Sequence, residues 1–121
     1  LLIAVVDNDG FAREAITGLL RALGHEPLEF QCASDLLHEH VLLRQIDCLI
    51  TDMRMPVLTG LDLHRELLAG GIVVPTIIVT AFPSDGMRAQ ALAAGVRAYL
   101  PKPLTAGALV KLLETFERPT R

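Results

Sequence analysis

Aromatic residues make up only 4% of this chain, with one tyrosine, four phenylalanines and no tryptophan. Because 51% of its 121 residues are nonetheless apolar, the core must be built from Leu, Val, Ile and Ala. That composition suits helices laid on a buried sheet better than a β-sandwich. Cysteine is equally scarce: Cys32 and Cys48 stand sixteen positions apart and match no zinc or redox spacing. They read as two reduced thiols in or near the core of a cytoplasmic protein. No basic run exceeds two residues and the net charge is only -3, which argues against a nucleic-acid surface within this chain. No apolar stretch reaches the roughly 20 residues a membrane span needs, so no membrane association is expected. The opening Leu1-Leu2-Ile3-Ala4-Val5-Val6 lacks a basic leader and a cleavage site, and reads as a first strand, not a signal peptide. Asp7-Asn8-Asp9-Gly10 also lacks the glycine-rich patterns of nucleotide-binding loops, which counts against an enzyme of that kind.

Short apolar runs alternate with helix-like segments. The runs cover Leu2–Val6, residues 27–30, residues 46–51, Thr76–Thr80 and residues 97–100. Leu2–Val6 and Thr76–Thr80 are apolar on consecutive positions, as strands covered on both faces require. Ile16, Leu19, Leu20 and Leu23 recur at helical spacing, and Leu109, Leu112, Leu113 and Phe116 repeat it. Leu63, Leu67 and Leu68 mark another helix, ended by Gly70-Gly71. Residues 34–44 and 84–94 complete the set, the latter with Ser84 as cap, Gly95 beyond its end, and an inward face of Ala with Met87 and Leu92. A β-α unit repeated five times with right-handed crossovers gives a doubly wound α/β fold, a five-stranded parallel sheet with helices on both faces. Residues 1–117 form one domain, and residues 118–121 read as a tail or the start of a linker.

In an open α/β sheet, ligands bind beyond the carboxyl ends of the strands. Asp7 and Asn8, Asp52, Thr80 and Lys102 each follow or close an apolar run at that end. Two acidic segments, a hydroxyl and an ammonium would thus converge on one rim, a set suited to placing a phosphoryl group on Asp52. The four histidines, His25, His38, His40 and His64, are scattered and read as surface or boundary residues. His38 and His40, two apart, do not share a helix face.

These motifs resemble the receiver domains of two-component response regulators. The resemblance rests on Val5-Val6-Asp7-Asn8-Asp9, on Thr51-Asp52-Met53-Arg54-Met55-Pro56 with Gly60, on Val79-Thr80-Ala81 and on Lys102-Pro103. The run Ala94-Gly95-Val96-Arg97-Ala98-Tyr99-Leu100 is similar to the FixJ-like branch, whose members usually carry a LuxR-type DNA-binding output domain. The resemblance implies a flavodoxin-like sheet in the order 2-1-3-4-5. It makes Asp52 the acceptor of a phosphoryl group from a sensor histidine kinase. It assigns Mg²⁺ to Asp7, Asn8, Asp52 and the backbone carbonyl of Arg54, and phosphoryl contact to Lys102, preceding a cis Pro103. Thr80 and Tyr99 would form the switch, and residues 84–117 an output face able to pair in a homodimer. Such a domain turns over no external product; self-phosphotransfer and loss of its own phosphoryl group are its only chemistry.

The chain departs from the pattern at Asn8, which stands where most receivers place a second metal-binding acid. Asp9 more readily caps the following helix than replaces that acid. Two readings follow: a working phosphoreceiver with altered Mg²⁺ dependence, or an atypical receiver acting through partner binding or dimerisation without phosphorylation. The presence of Asp52, Thr80 and Lys102 favours the first.

Overall fold

A computed structural model describes residues 1–116. Five parallel strands, β1 (Leu2–Val6), β2 (Glu26–Phe30), β3 (Cys48–Asp52), β4 (Thr76–Thr80) and β5 (Ala98–Pro101), form one sheet in the order β2-β1-β3-β4-β5. Helices α1 (Gly10–Ala22), α2 (Ala33–Leu37), α3 (Gly60–Ala69), α4 (Asp85–Ala93) and α5 (Ala106–Glu114) alternate with them, and a 3-10 turn covers Leu42–Arg44. The proposed boundary at residue 117 and the tail at 118–121 lie outside the described residues.

Side chains alternate across each strand, so neighbouring apolar residues serve two cores. Ile3, Val5, Ile50 and Val79 pack with Ile16 and Leu20 of α1 and Leu109 and Leu113 of α5. Ala4, Val6 and Leu49 pack on the opposite face with Leu36, Leu63 and Leu67. Consecutive apolar residues in β1 and β4 are therefore needed, since both faces are covered. Because β1 lies between β2 and β3, the strand order reverses beside it, and a crevice opens where Asp7 and Asp52 emerge.

Helix starts follow their caps. Asp9 accepts from the backbone N–H groups of Phe11 and Ala12, Thr59 forms a reciprocal capping box with Asp62, and Ser84 and Thr105 cap α4 and α5. The strands at residues 27–30, 46–51 and 97–100 are each shifted by one or two positions. The shift in β3 brings Asp52 itself into the strand.

The helix expected over residues 34–44 is instead a five-residue helix followed by a separate 3-10 turn. Three and four positions beyond buried Leu36 stand Glu39 and His40, both exposed. That turn therefore has no apolar face to bury, and the helix lapses until Leu43. In α4, Leu92 faces outward at 46% exposure and Ala91 is the helix's buried residue. Met87 packs at the margin of a small cluster with Met53, Ile78 and Tyr99.

Candidate functional site

The rim at the carboxyl end of the sheet brings Asp7, Asp52, Thr80 and Lys102 together. Asp7 follows β1 and is 1% exposed. Its Oδ1 accepts from the backbone N–H of Asp9 at 2.9 Å, and its Oδ2 accepts from Lys102 Nζ at 2.9 Å. The same ammonium lies 3.4 Å from Asp52 Oδ1. Lys102 thus bridges two carboxylates at the ends of separate strands.

The electrostatics follow from this crowding. Burial, then the charge of Asp7, hold the Asp52 carboxyl above its ordinary value; Lys102 and the backbone N–H of Arg54 pull it down without cancelling them. Burial works against the charge of Lys102, but the hydrogen bond and charge of Asp7, and then those of Asp52, outweigh it and raise its pKa. The ammonium is therefore firmly charged, while the Asp52 carboxylate is short of positive neighbours.

Local backbone fixes Asp52. Met53 N–H donates to Val79 O at 3.2 Å and Gly60 N–H donates to Met53 O at 2.9 Å, tying the loop to β4 and α3. A Cβ on Gly60 would collide with the backbone carbonyl oxygen of Asp52, so only glycine permits this approach. Between them Val57 adopts φ 71° and is almost fully exposed, with Leu58 N–H donating to Pro56 O at 2.9 Å across a three-residue turn. A β-branched residue there is strained, and nothing in the sequence around Val57 announces it.

The opposite wall comes from β4 and β5. Thr80 Oγ1 is buried and accepts from Phe82 N–H at 3.1 Å. The Arg54 guanidinium stacks 4.7 Å from the centre of the exposed Phe82 ring. Tyr99 is 1% exposed, not lying on the surface, and its hydroxyl accepts from Ser84 N–H at 3.3 Å. The Lys102-Pro103 peptide bond is cis.

Asn8 is exposed at the tip of the β1–α1 loop. Asp9 is engaged as the cap of α1, and Arg13 Nη1 donates to Asp7 O at 2.6 Å beneath the loop. Two carboxylates therefore converge, and among the described residues no group of three or more His, Cys, Asp or Glu is placed to hold a metal. Two converging carboxylates suit Mg²⁺, which keeps waters and phosphate oxygens in its octahedron, better than they suit an all-protein cage.

His64, expected at the surface or boundary, is 4% exposed. Its Nδ1 lies 3.0 Å from Thr76 Oγ1, and its Nε2 donates to Ala94 O at 2.9 Å. It sits on the inward stripe of α3 next to Leu63 and Leu67, a register that was available as a signal. Cys48 is buried, and its thiol is pushed up to about 12 by burial, then by Asp47. Cys32 is half-buried at the start of α2.

Residues 3–114 match the family described as response regulator receiver domain. Nodulation protein W of Bradyrhizobium diazoefficiens is 32% identical over 84% of the chain and 44% of its own length. Transcriptional regulatory protein FixJ of Azorhizobium caulinodans is 31% identical over 91% of the chain and 52% of its own length. The chain thus spans about half the length of these curated relatives. A solved response regulator receiver domain protein from Clostridium thermocellum superposes with a TM-score of 0.87, at 30% identity, over 95% of this chain and 92% of that one. The solved structure of FixJ-N superposes at 0.85, with 26% identity, over 95% and 91%.

Proposed function

The chain belongs to the response regulator receiver family, and on that premise we propose that Asp52 accepts a phosphoryl group from a phosphohistidine of a sensor histidine kinase. A carboxylate oxygen of Asp52 attacks phosphorus in line with the histidine nitrogen. The O–P bond forms as the P–N bond breaks, and the imidazole leaves with the electron pair. Phosphoryl transfer of this kind asks the protein for positioning and charge neutralisation above all. Lys102, already between Asp7 and Asp52, shifts its ammonium towards the incoming phosphoryl oxygens as a compact point charge. Mg²⁺ held by Asp7, Asn8, Asp52 and the Arg54 carbonyl would supply the remaining neutralisation. The observation that carries this reading is Lys102 bridging two carboxylates at the ends of different strands, with its backbone N–H on the carbonyl of Thr80.

Thr80 and Tyr99 then form the switch. Thr80 Oγ1 currently serves the Phe82 N–H; turning towards a phosphoryl oxygen releases that amide and the loop entering α4. Tyr99, inside and joined to Ser84 N–H, transmits the change to the α4 N-terminus. The added charge of about -1.5 to -2 units is sufficient to bias such a loop. The output face is α4, β5 and α5, which pairs with a second copy or contacts an output domain outside this chain. A relative named as a transcriptional regulatory protein supports an output domain that binds DNA, with the protein working in the cytoplasm.

Intact-mass measurement of the wild type and Asp52→Asn, after incubation with a small phosphodonor and Mg²⁺, tests the reading. One chelator-sensitive phosphoryl adduct on the wild type alone is expected. An adduct that persists in Asp52→Asn, or none on the wild type at saturating Mg²⁺, overturns it.

A further inference from the structure

We propose that Arg13 is a positioning residue for the phosphoacceptor site: its guanidinium, braced by Glu29 on the edge strand β2, grips the Asp7 carbonyl and so sets where the Asp7 carboxylate stands. The inference rests on the phosphoacceptor reading of Asp52. It adds to that reading two residues that touch neither the reacting atoms nor Lys102.

Every polar group of Asp7 is engaged. Its backbone N–H donates to Phe30 O of β2 at 3.1 Å, and its carbonyl accepts from Arg13 Nη1 at 2.6 Å. Its Oδ1 accepts from Asp9 N–H and its Oδ2 from Lys102 Nζ. The first of these bonds continues the sheet, and the last belongs to the site. The Arg13 bond is of another kind. It reaches from the first turn of α1 back across Asn8, Asp9 and Gly10 to the residue before them. A charged donor at so short a distance makes a strong bond, so the loop that carries Asp7 is closed by a latch.

The latch is itself held. Arg13 Nε donates to Glu29 Oε1 at 3.3 Å, and Arg21, two turns along α1, lies 3.8 Å from Glu29 Oε2. Asp9, nearer in sequence, is spent on the backbone N–H groups of Phe11 and Ala12, so Glu29 is the carboxylate that braces the guanidinium. The Arg13 and Glu29 side chains are 21% and 37% exposed, and an ion pair in such a place contributes little to stability. It does orient a planar fork: with Nε tied to β2, Nη1 is aimed at the Asp7 carbonyl. Asp7 Oδ2 must in turn meet Lys102 at 2.9 Å, beside Asp52. A displacement of about 1 Å in such a group can cost about a hundredfold in function.

Position and charge predict opposite signs. As a nearby positive charge, Arg13 would repel a divalent cation, and removing it would tighten cation binding. As a positioning residue, its removal loosens Asp7 and weakens that binding. Glu29 is the converse case. Glu29→Gln keeps an acceptor oxygen for Arg13 Nε and loses only the charge, whereas Glu29→Ala frees the guanidinium.

Two measurements test this in the wild type, Arg13→Met, Glu29→Gln and Glu29→Ala: Mn²⁺ binding by electron paramagnetic resonance, and amide exchange in chelator-treated protein. Arg13→Met keeps the aliphatic stem and should bind Mn²⁺ at least about tenfold more weakly. Without metal, its Asp9 N–H, the donor to Asp7 Oδ1, should exchange at least about tenfold faster, while the amides of residues 3–6 keep their protection. Glu29→Gln should stay within about twofold of the wild type in both. Should Arg13→Met also loosen β1, Glu29→Ala decides, with both changes in the same direction and smaller.

Unchanged or tighter Mn²⁺ binding in Arg13→Met, or Glu29→Gln weakened as much as Arg13→Met, would overturn the proposal and leave Asp52 as acceptor. So would an unaltered Asp9 amide. Beryllofluoride with Mg²⁺, followed by fluorine NMR, checks the premise. If the wild type forms no adduct beyond that of Asp52→Asn, the phosphoacceptor reading falls and takes the proposal with it.

Discussion

Because burial and the charge of Asp7 hold the Asp52 carboxyl above its ordinary value, the folded chain binds that proton more tightly than the unfolded chain does. The stability this lends is present below the unfolded carboxylate value of about 4 and is lost as pH rises through the raised folded one. Ionised Asp52 is thus a net cost at neutral pH, as is common for residues kept for function. Asp52→Asn should raise the thermal midpoint at pH 7 by a few degrees, the scale of roughly 1 kcal/mol in a domain of this size. The gain should vanish in scans near pH 3; an equal gain at both pH values would sink the linkage. Gly60 gives the opposite case, since its Cα faces the Asp52 carbonyl so closely that a methyl group must push β3 and α3 apart. Gly60→Ala should cost about 2–4 kcal/mol in urea unfolding, even though alanine is the better helix former. Asp52, Thr80 and Lys102 were legible because strand ends and motif spacing place them without knowledge of packing. His64 was read as a surface or boundary residue because a polar residue on an apolar stripe reads as one, and strained Val57 was not singled out because φ at a valine leaves no compositional mark.

Among the helices, α4 has the fewest buried residues. Its buried residue is a single alanine, Ala91, and Leu92 faces outward. Two polar clips compensate: Tyr99 Oη takes the Ser84 N–H at one end, and His64 donates to Ala94 O at the other. A helix of 9 residues with so little apolar burial is not stable by propensity alone. Removing the His64 clip should therefore open α4 before anything else. His64→Leu, which keeps the volume and loses both hydrogen bonds, should speed amide exchange at residues 87–93 by roughly tenfold or more, the effect of about 1.5–3 kcal/mol locally. Amides of β1 and β3 should exchange as before, and uniform acceleration across the sheet would show a global effect instead. The weak hold of α4 was legible in its run of alanines, but Leu92 was assigned inward because one leucine among alanines does not define a face. The break after α2 was missed for a related reason: no Gly or Pro marks residues 38–41, while the apolar stripe that would anchor a helix lapses there.

For the molecule as a whole, the sheet order was legible because five β-α units leave few right-handed arrangements, and motif resemblance selects one of them. What the sequence could not convey is the direction of Tyr99, which depends on packing against Ile78, Met53 and Ala91. With Tyr99 already inside, an acyl phosphate at Asp52 need not move an aromatic ring across the surface. Its principal effects would be to neutralise the site and to draw Thr80 Oγ1 away from Phe82 N–H. Phosphorylation should then act on the whole fold chiefly as a stabilising ligand. Binding to the folded state alone adds about 2.7 kcal/mol at a hundredfold excess over Kd, which corresponds to several degrees in the thermal midpoint here. Beryllofluoride with Mg²⁺ should accordingly raise the midpoint of the wild type and leave Asp52→Asn unmoved. Thr80→Ala should retain most of that rise, because the gain comes from charge neutralisation by Lys102 and the cation. It should, however, lose the accompanying change in exchange at residues 82–85. If Thr80→Ala abolishes the rise itself, the hydroxyl is part of what holds the phosphoryl group, and switching and binding are the same event.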